Sequence, residues 1–105
     1  MKKFASIMTN TFPSEIAYNE WKKRQDDFFL KDKRIKILLK QYGMTKFATY
    51  KTDDIEPVKA ITIFEYDKKD SFQKCQKIFL KFMPKINDLV IKSNIVRGEI
   101  TMDEI

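Results

Sequence analysis

The stretch Val58-Lys59-Ala60-Ile61-Thr62-Ile63-Phe64-Glu65-Tyr66 is the clearest strand in this sequence. β-branched and aromatic residues fill it, and such residues pack well on a pleated, partly buried surface. Asp53-Asp54 and Pro57 precede it and supply residue types that turns prefer. Residues 44 to 52, upstream of that turn, lack helical spacing and also suit a strand. We therefore predict a β-hairpin with a loop of several residues.

Downstream of this hairpin lies the best helical pattern of the chain. Asp70 is followed three residues later by Gln73, an arrangement that resembles a capping box. Pro84 lacks a backbone donor and clashes with the preceding turn, so we expect the regular helix to end near it. Apolar residues recur at helical spacing after this cap: Cys75, Ile78, Phe79, Phe82, Met83 and Ile86.

Two helical patterns precede the hairpin. The first starts near Pro13, which suits an initial helical turn. The second ends at Gly43, where a left-handed cap is expected. Residues 31 to 33 interrupt the apolar stripe and Asp32 could cap a new helix, so we favour a break there over one helix across residues 14 to 42. The stripes are Ala17, Tyr18, Trp21, Phe28 and Phe29, then Ile35, Leu38, Leu39 and Tyr42.

The outer strands are shorter patterns. Residues 4 to 8 predict a first strand that ends near Thr9, and residues 89 to 96 predict the last strand. Residues 97 to 105 are expected to form a tail whose apolar residues pack on a neighbour or fray. The whole order predicts one α+β domain over residues 1 to 105: ferredoxin-like β-α-β-β-α-β, with an antiparallel sheet and the helices on one face.

Both faces of these strands carry apolar residues, as a comparison of alternate positions shows. Phe4 and Met8 share one parity of the first strand, whereas Ala5 and Ile7 share the other. Right-handed crossovers place both helical segments on the same side of the sheet, which leaves the second face uncovered. Because a large exposed apolar patch is unusual on a monomer, we predict a sheet-to-sheet homodimer.

Three segments resemble the dimeric α+β-barrel superfamily, in which two ferredoxin-like subunits pack sheet against sheet. These are Tyr18-Asn19-Glu20-Trp21, Tyr42-Gly43-Met44, and Phe64-Glu65-Tyr66-Asp67-Lys68-Lys69-Asp70-Ser71-Phe72. The resemblance spans nearly the whole domain. It implies a cleft or barrel interior in each subunit, which the superfamily uses for cofactor-free oxygenation, haem breakdown, isomerisation, dehydration or small-ligand binding.

Two functions follow as hypotheses. The first is a small homodimeric protein that binds a small organic ligand or runs a cofactor-free reaction, such as that of a monooxygenase or isomerase. The alternative is a non-catalytic structural or regulatory interaction module. A persistent cavity with convergent polar groups would favour the first hypothesis, and a filled interior would favour the second.

The formal net charge of +6 on 105 residues raises the question of nucleic-acid binding. However, only Arg24, Arg34 and Arg97 among the 21 basic residues are arginines, and the lysines are scattered among acidic residues. Ile61 and Ile63 also stand where an RNA recognition motif would place stacking aromatics. We therefore do not expect a nucleic-acid partner.

Several chemistries are disfavoured by residue content. The chain has no histidine, the commonest metal ligand and usual general base, and its single cysteine, Cys75, lies on an apolar helical stripe. Two glycines are too few for a phosphate-binding loop. We predict no metal site and no cofactor, and we assign no catalytic residue. The lone cysteine, and the absence of a long apolar run at the N-terminus or elsewhere, predict a cytoplasmic protein without a membrane span.

Candidate ligand-binding residues come from the polar and aromatic groups of the predicted sheet and helix. Ser6, Thr62 and Tyr66 are expected to share one sheet face, and Tyr50 and Asn94 join them if the register permits. Trp21, the only tryptophan, could line the same interior. Ordinary packing is the competing interpretation, because threonine and tyrosine suit strands generally and Trp21 has core spacing.

Overall fold

The computed structural model describes residues 2–53 and 56–105, which form one antiparallel sheet covered on one face by helices. The strand order in the sheet is β2-β3-β1-β4, and all adjacent strands are antiparallel. The elements are β1 (Phe4–Phe12), α1 (Glu15–Phe29), α2 (Lys33–Gln41), β2 (Met44–Lys51), β3 (Val58–Tyr66), α3 (Lys69–Phe82), a 3-10 turn (Met83–Lys85) and β4 (Lys92–Glu99). The helical segment after β1 is thus two helices.

Local signals explain where the helices begin and end. The Ser14 side chain accepts a hydrogen bond from the Ala17 backbone at 3.1 Å, which starts α1. Asp32 accepts one from the Arg34 backbone at 3.0 Å and starts α2, so the predicted break is confirmed. Gly43 has a φ of 106°, a conformation that favours glycine, and the predicted helix end there is confirmed. The regular part of α3 ends at Phe82, just before Pro84.

Three boundaries differ from the prediction. β1 extends to Phe12 rather than ending near Thr9, because it pairs with β3 without interruption along its whole length. The predicted capping box is wrong, because the N-cap of α3 is Lys68. Asp70 lies inside the first turn, where its negative charge interacts favourably with the helix dipole. β4 runs from Lys92 to Glu99, so part of the predicted tail is strand. Asp54 of the predicted turn lies outside the described residues.

The core fills the space between the sheet and the helices. Alternate β3 residues from Val58 to Tyr66 point into this space and are buried, as are Phe4, Ser6, Asn10 and Phe12 of β1. Cys75 of α3 is buried there too, and desolvation raises the pKa of its thiol to about 11. Aromatic side chains dominate one cluster: Phe4, Phe29, Phe64, Tyr66 and Phe82. A second cluster joins Phe12, Tyr18, Trp21, Val58 and Ala60.

The opposite face of the sheet, called the open face below, is apolar at its centre. Ile7 pairs with Ile63 on one side and with Val96 on the other. Tyr50 of β2 pairs with Ile61 on this face and is 50% exposed, and Val96 is 59% exposed. No helix of the described residues covers these side chains, which agrees with the prediction that one face lacks a helical layer.

None of the helices in residues 2–53 and 56–105 has the length and apolar character needed to cross a bilayer. The chain end beyond β4 is tied to the start of β1, because the Ile100 backbone donates to the Lys3 carbonyl at 2.9 Å. Met102 and Ile105 of the expected tail are exposed.

Candidate functional site

A cavity of about 260 Å³ lies between the sheet and the helices. Its walls come from all four strands on the sheet side and mainly from α1 and α3 on the helix side. Aromatic groups form most of the apolar lining, and several polar groups converge on the same space, which is the usual composition of a small-molecule site. The aromatic lining is Trp21, Phe29, Phe47, Phe64, Tyr66, Phe72, Phe79 and Phe82. The space is small, so it suits a ligand of a few fused or linked rings at most.

Four of the six predicted site residues line this cavity: Ser6, Trp21, Thr62 and Tyr66. The register explains why three of them meet, since Ser6, Thr62 and Tyr66 all occupy the helix-facing positions of the neighbouring strands β1 and β3. Trp21 reaches the cavity from α1 and is 3% exposed. Their role in ligand binding stays a prediction.

The register does not permit Tyr50 and Asn94 to join the helix-facing side of the sheet, so these two predicted site residues lie outside the cavity. Tyr50 pairs with Ile61 in β3, and Asn94 pairs with Thr9 in β1. Ile61 and Thr9 are both open-face positions, and side chains directly opposite each other in paired strands point the same way. Tyr50 and Asn94 therefore lie on the open face, away from the cavity.

A chain of hydrogen bonds fixes Thr62 at the wall of the cavity. The Gln25 amide donates from Nε2 to Thr49 Oγ1 at 3.2 Å, and Thr49 Oγ1 lies 3.3 Å from Thr62 Oγ1. Gln25 is buried although it is polar, and its hydrogen bond offsets the cost of that burial. Gln25 was not predicted from the sequence, but its position four residues after Trp21 puts both side chains on one side of α1 and could have identified it.

A second polar pair joins β1 to β4 at the same cavity. The Ser93 hydroxyl donates to Asn10 Oδ1 at 2.6 Å, and Asn10 is 2% exposed. Both residues line the cavity. Asn10 was not predicted as a site residue because the first strand was expected to end near Thr9, one residue before it.

Arg97 is the one charged residue among the described residues that line the cavity. Its Nε donates to Ser6 Oγ at 3.3 Å, and its guanidinium carbon lies 4.9 Å from the centre of the Phe72 ring. This stacking is a cation–π contact that holds the guanidinium group at the cavity edge. Within residues 2–53 and 56–105, no carboxylate forms an ion pair with Arg97. Arg97 was missed because the last strand was predicted to stop at Val96.

Tyr66 supplies a neutral hydroxyl rather than a phenolate. It is 1% exposed, and desolvation by burial, followed by the nearby Cys75, raises the pKa of its phenol far above the ordinary value. The opposing effect of Arg97 is the smallest of the three. At neutral pH Tyr66 can therefore donate or accept a hydrogen bond but does not act as an anion.

Metal binding has no support among the described residues, where no group of three or more Cys, Asp or Glu side chains could hold an ion. The predictions of no metal and no cofactor stay predictions. What the cavity offers is one cation, several neutral hydroxyl and amide groups, and an aromatic wall.

Proteins of known structure share this architecture, whereas matches by sequence are lacking. No protein-family model matches the chain, and no curated protein matches it. A dimeric ferredoxin-like protein from an uncultured marine organism is 25% identical in sequence to this chain. The two structures align with a TM-score of 0.85 over 98% of each chain. Another dimeric ferredoxin-like protein from an uncultured marine organism is 16% identical, with a TM-score of 0.82 over 98% of this chain and 99% of that one.

The cofactor-independent oxygenase SnoaB from Streptomyces nogalater has the same architecture. It is 12% identical, with a TM-score of 0.67 over 99% of this chain and 98% of that one. These matches confirm the resemblance inferred from the sequence: the chain has a ferredoxin-like fold similar to that of dimeric ferredoxin-like proteins.

Proposed function

We propose that this protein is a cytoplasmic homodimer in which each subunit, folded as one domain, binds a small organic molecule in the cavity between its sheet and helices. The observation that carries the proposal is the meeting of Ser6, Thr62, Tyr66 and Arg97 at an aromatic-walled space. Burying polar groups costs free energy unless they are hydrogen-bonded, and a few polar groups that converge on an apolar cavity are typical of a small-molecule site.

The residues around the cavity suit a ligand whose oxygen gains negative charge. The Arg97 guanidinium and the neutral Tyr66 hydroxyl can both donate hydrogen bonds, and a developing enolate or phenolate is stabilised by donors held in place beforehand. This favours a cofactor-free oxygenation or isomerisation of a small cyclic ketone or phenol. Of these two reactions, the similarity to SnoaB supports the oxygenation.

The homodimer is proposed from the open face. Ile7, Ile61, Ile63 and Val96 form an apolar surface without a helical layer among the described residues. Burying such a surface against an identical one removes it from water in both subunits. The two marine ferredoxin-like proteins described as dimeric support this arrangement.

A non-catalytic interaction module is the second candidate, and the same open face favours it. The two candidates differ in whether the cavity is used. A module needs only the apolar face, so the convergent polar groups opposite that face are unexplained under this alternative.

Trp21 offers a direct test, because it is the only tryptophan and lines the cavity. We expect naphthols and bicyclic ketones to change Trp21 fluorescence in a saturable manner. Ser6→Leu, which fills the cavity, should weaken that response at least about tenfold, whereas the exposed Gln73→Leu should not. Oxygen uptake without added cofactor then tests the reaction.

Two results would count against the proposal. Unchanged Trp21 emission with every ligand, or equal responses in Ser6→Leu and wild type, would remove the cavity as a binding site and leave the interaction module. Light scattering tests the assembly separately, and a monomer at micromolar concentration would overturn the homodimer.

A further inference from the structure

The mouth of the cavity lies at the edge of the sheet, between α3 and β4. Leu80, Met83 and Ile95 line the cavity, yet all three of these large apolar side chains are exposed. Leu80 belongs to α3, Met83 directly follows it, and Ile95 belongs to β4. The gap between these two elements therefore leads from the solvent to the cavity.

Residues 83–91, called the connector below, join α3 to β4 and close one end of this mouth. A surface depression of about 440 Å³ lies against the connector. Met83, Ile86 and Ile91 line both this depression and the cavity, so their side chains lie between the two spaces. A displacement of the connector would join the depression to the cavity.

The backbone of the connector is hydrogen-bonded only to itself. The Ile86 backbone donates to the Met83 carbonyl at 3.2 Å, and the Leu89 backbone donates to the Ile86 carbonyl at 3.1 Å. Among the described residues, no backbone hydrogen bond joins residues 86–91 to another element. Segments attached in this way open at a lower free energy than the strands and helices around them.

A side chain of α1 ties the connector to the rest of the domain. Arg24 Nη1 donates to the Lys85 carbonyl at 3.1 Å and to Asp88 Oδ1 at 2.5 Å, and Arg24 Nη2 donates to Asp88 Oδ2 at 3.2 Å. Arg24 Nε donates to Glu20 Oε1 at 2.9 Å, which fixes the direction of the guanidinium group. A bidentate contact between arginine and a carboxylate is specific in its geometry. The hydrogen bonds of Arg24 to Lys85 and Asp88 are called the latch below.

We propose that the connector is a lid over the mouth of the cavity and that the latch holds this lid closed. When Arg24 releases Asp88, the connector moves outward and takes the side chains of Met83 and Ile86 away from the partition. A lid of this kind controls how fast a ligand enters and leaves. The inference rests on the binding function proposed for the cavity.

Two variants open the latch, and a third serves as their control. Arg24→Gln removes the guanidinium group, and Asp88→Asn removes the carboxylate of the same contact. The control Arg34→Gln removes an arginine that pairs with Asp32 at the start of α2, and neither residue lines the cavity or the depression. Stopped-flow measurements of Trp21 fluorescence follow the binding of naphthol, which is uncharged at neutral pH.

We expect the association and dissociation rate constants of naphthol to rise together in both latch variants. A rise of about threefold is the size that a partly exposed ion pair can produce. The dissociation constant should change less than about twofold, because a lid that is open more often admits and releases the ligand to the same extent. The control should bind naphthol at the rates of wild type.

Trypsin tests the movement of the connector without any ligand. It cleaves after Lys85 of the connector and after Lys77 within α3, and the rate of cleavage in a segment that opens transiently follows its open population. The ratio of cleavage after Lys85 to cleavage after Lys77 should rise about threefold in Arg24→Gln. Global unfolding would raise cleavage at both sites and leave this ratio unchanged.

Either of two results would overturn the inference. Unaltered rate constants in both latch variants, or an unaltered cleavage ratio in Arg24→Gln, would mean that the connector is a fixed wall. Equal changes in Arg34→Gln would mean that the loss of any surface arginine has the same effect. If no ligand changes Trp21 fluorescence in wild type but the cleavage ratio rises in Arg24→Gln, the binding function is overturned and the latch is supported.

Discussion

Ile63 and Phe64 are neighbours in β3, yet they lie on the two different surfaces of one sheet. Phe64 points toward the helices, where its ring centre is 4.9 Å from that of Phe47 and 4.8 Å from that of Phe79. Ile63 points to the open face and pairs with Ile7 of β1 and Ala48 of β2. Both faces are apolar, but only the helix-facing one is covered within the described residues.

The difference lies in the polar groups. The helix-facing side buries Ser6, Asn10 and Thr62 among aromatic rings and leaves a cavity beside them. The open face presents β-branched residues such as Ile7, Ile63 and Val96, which form a surface suited to packing against another sheet. One side has the composition of a binding site, and the other has the composition of an interface.

The largest expected effect comes from truncating the two neighbours separately. Phe64→Ala should lower the free energy of unfolding by about 3–5 kcal/mol, because it removes a ring from the packed core of each subunit. Ile63→Ala should cost less, and its cost should depend on protein concentration, since it acts on association. Urea unfolding at two protein concentrations measures both, and equal concentration dependence in the two variants would contradict the assignment of faces.

The next effect tests the open face directly. Ile63→Lys places a charge at the centre of the proposed interface, where a buried unpaired charge is strongly unfavourable. We expect the dimer dissociation constant to rise at least about a hundredfold, which is about 3 kcal/mol. Light scattering and sedimentation measure the change, with Gln73→Lys as a control of equal charge on α3. A dimer that tolerates Ile63→Lys would place the interface elsewhere.

A smaller effect is expected from the cation of the cavity. Arg97→Met keeps an apolar stem beside Phe72 but removes the guanidinium group, so affinity for a phenol or enol ligand should fall about tenfold, or about 1.4 kcal/mol. Because Arg97 lies at the exposed edge of the sheet, the free energy of unfolding of the Arg97→Met variant should differ little from that of wild type. Titrations of Trp21 fluorescence check the first point, and unaltered affinity in Arg97→Met would remove Arg97 from the site.

The smallest effect is a pH dependence of the free energy of unfolding, which reports whether water reaches the Cys75 thiol in the helix-facing core. The Cys75 thiol has a pKa of about 11 in the folded chain, against an ordinary value of 9.0. The unfolded thiol therefore loses its proton first, so this contribution to stability is complete below pH 9 and is lost as the pH rises toward 11. Between pH 9 and pH 10, wild type should lose about 1 kcal/mol more than Cys75→Ala. Parallel curves for the two proteins would mean that water reaches the thiol.

Much of the fold was predictable because its signals are local. The composition of residues 58 to 66 indicated a strand, Asp32 indicated the break between α1 and α2, and Gly43 indicated the end of α2. Each signal depends on the conformational preference of a few consecutive residues. Boundaries set by pairing were less accurate: β1 and β4 continue as far as their neighbours supply backbone partners.

The candidate site was predictable only in part, for a geometric reason. The sequence alone determined that both faces of the sheet are apolar, because apolar residues occur at both alternate sets of positions along the strands. It could not determine which side each polar residue joins, because a shift of one residue in register reverses the direction of every side chain in a strand. Only the tertiary structure placed Tyr50 and Asn94 on the open face and brought Asn10 and Arg97 to the cavity beside Ser6, since strand pairing and helix position are decided by contacts distant in sequence.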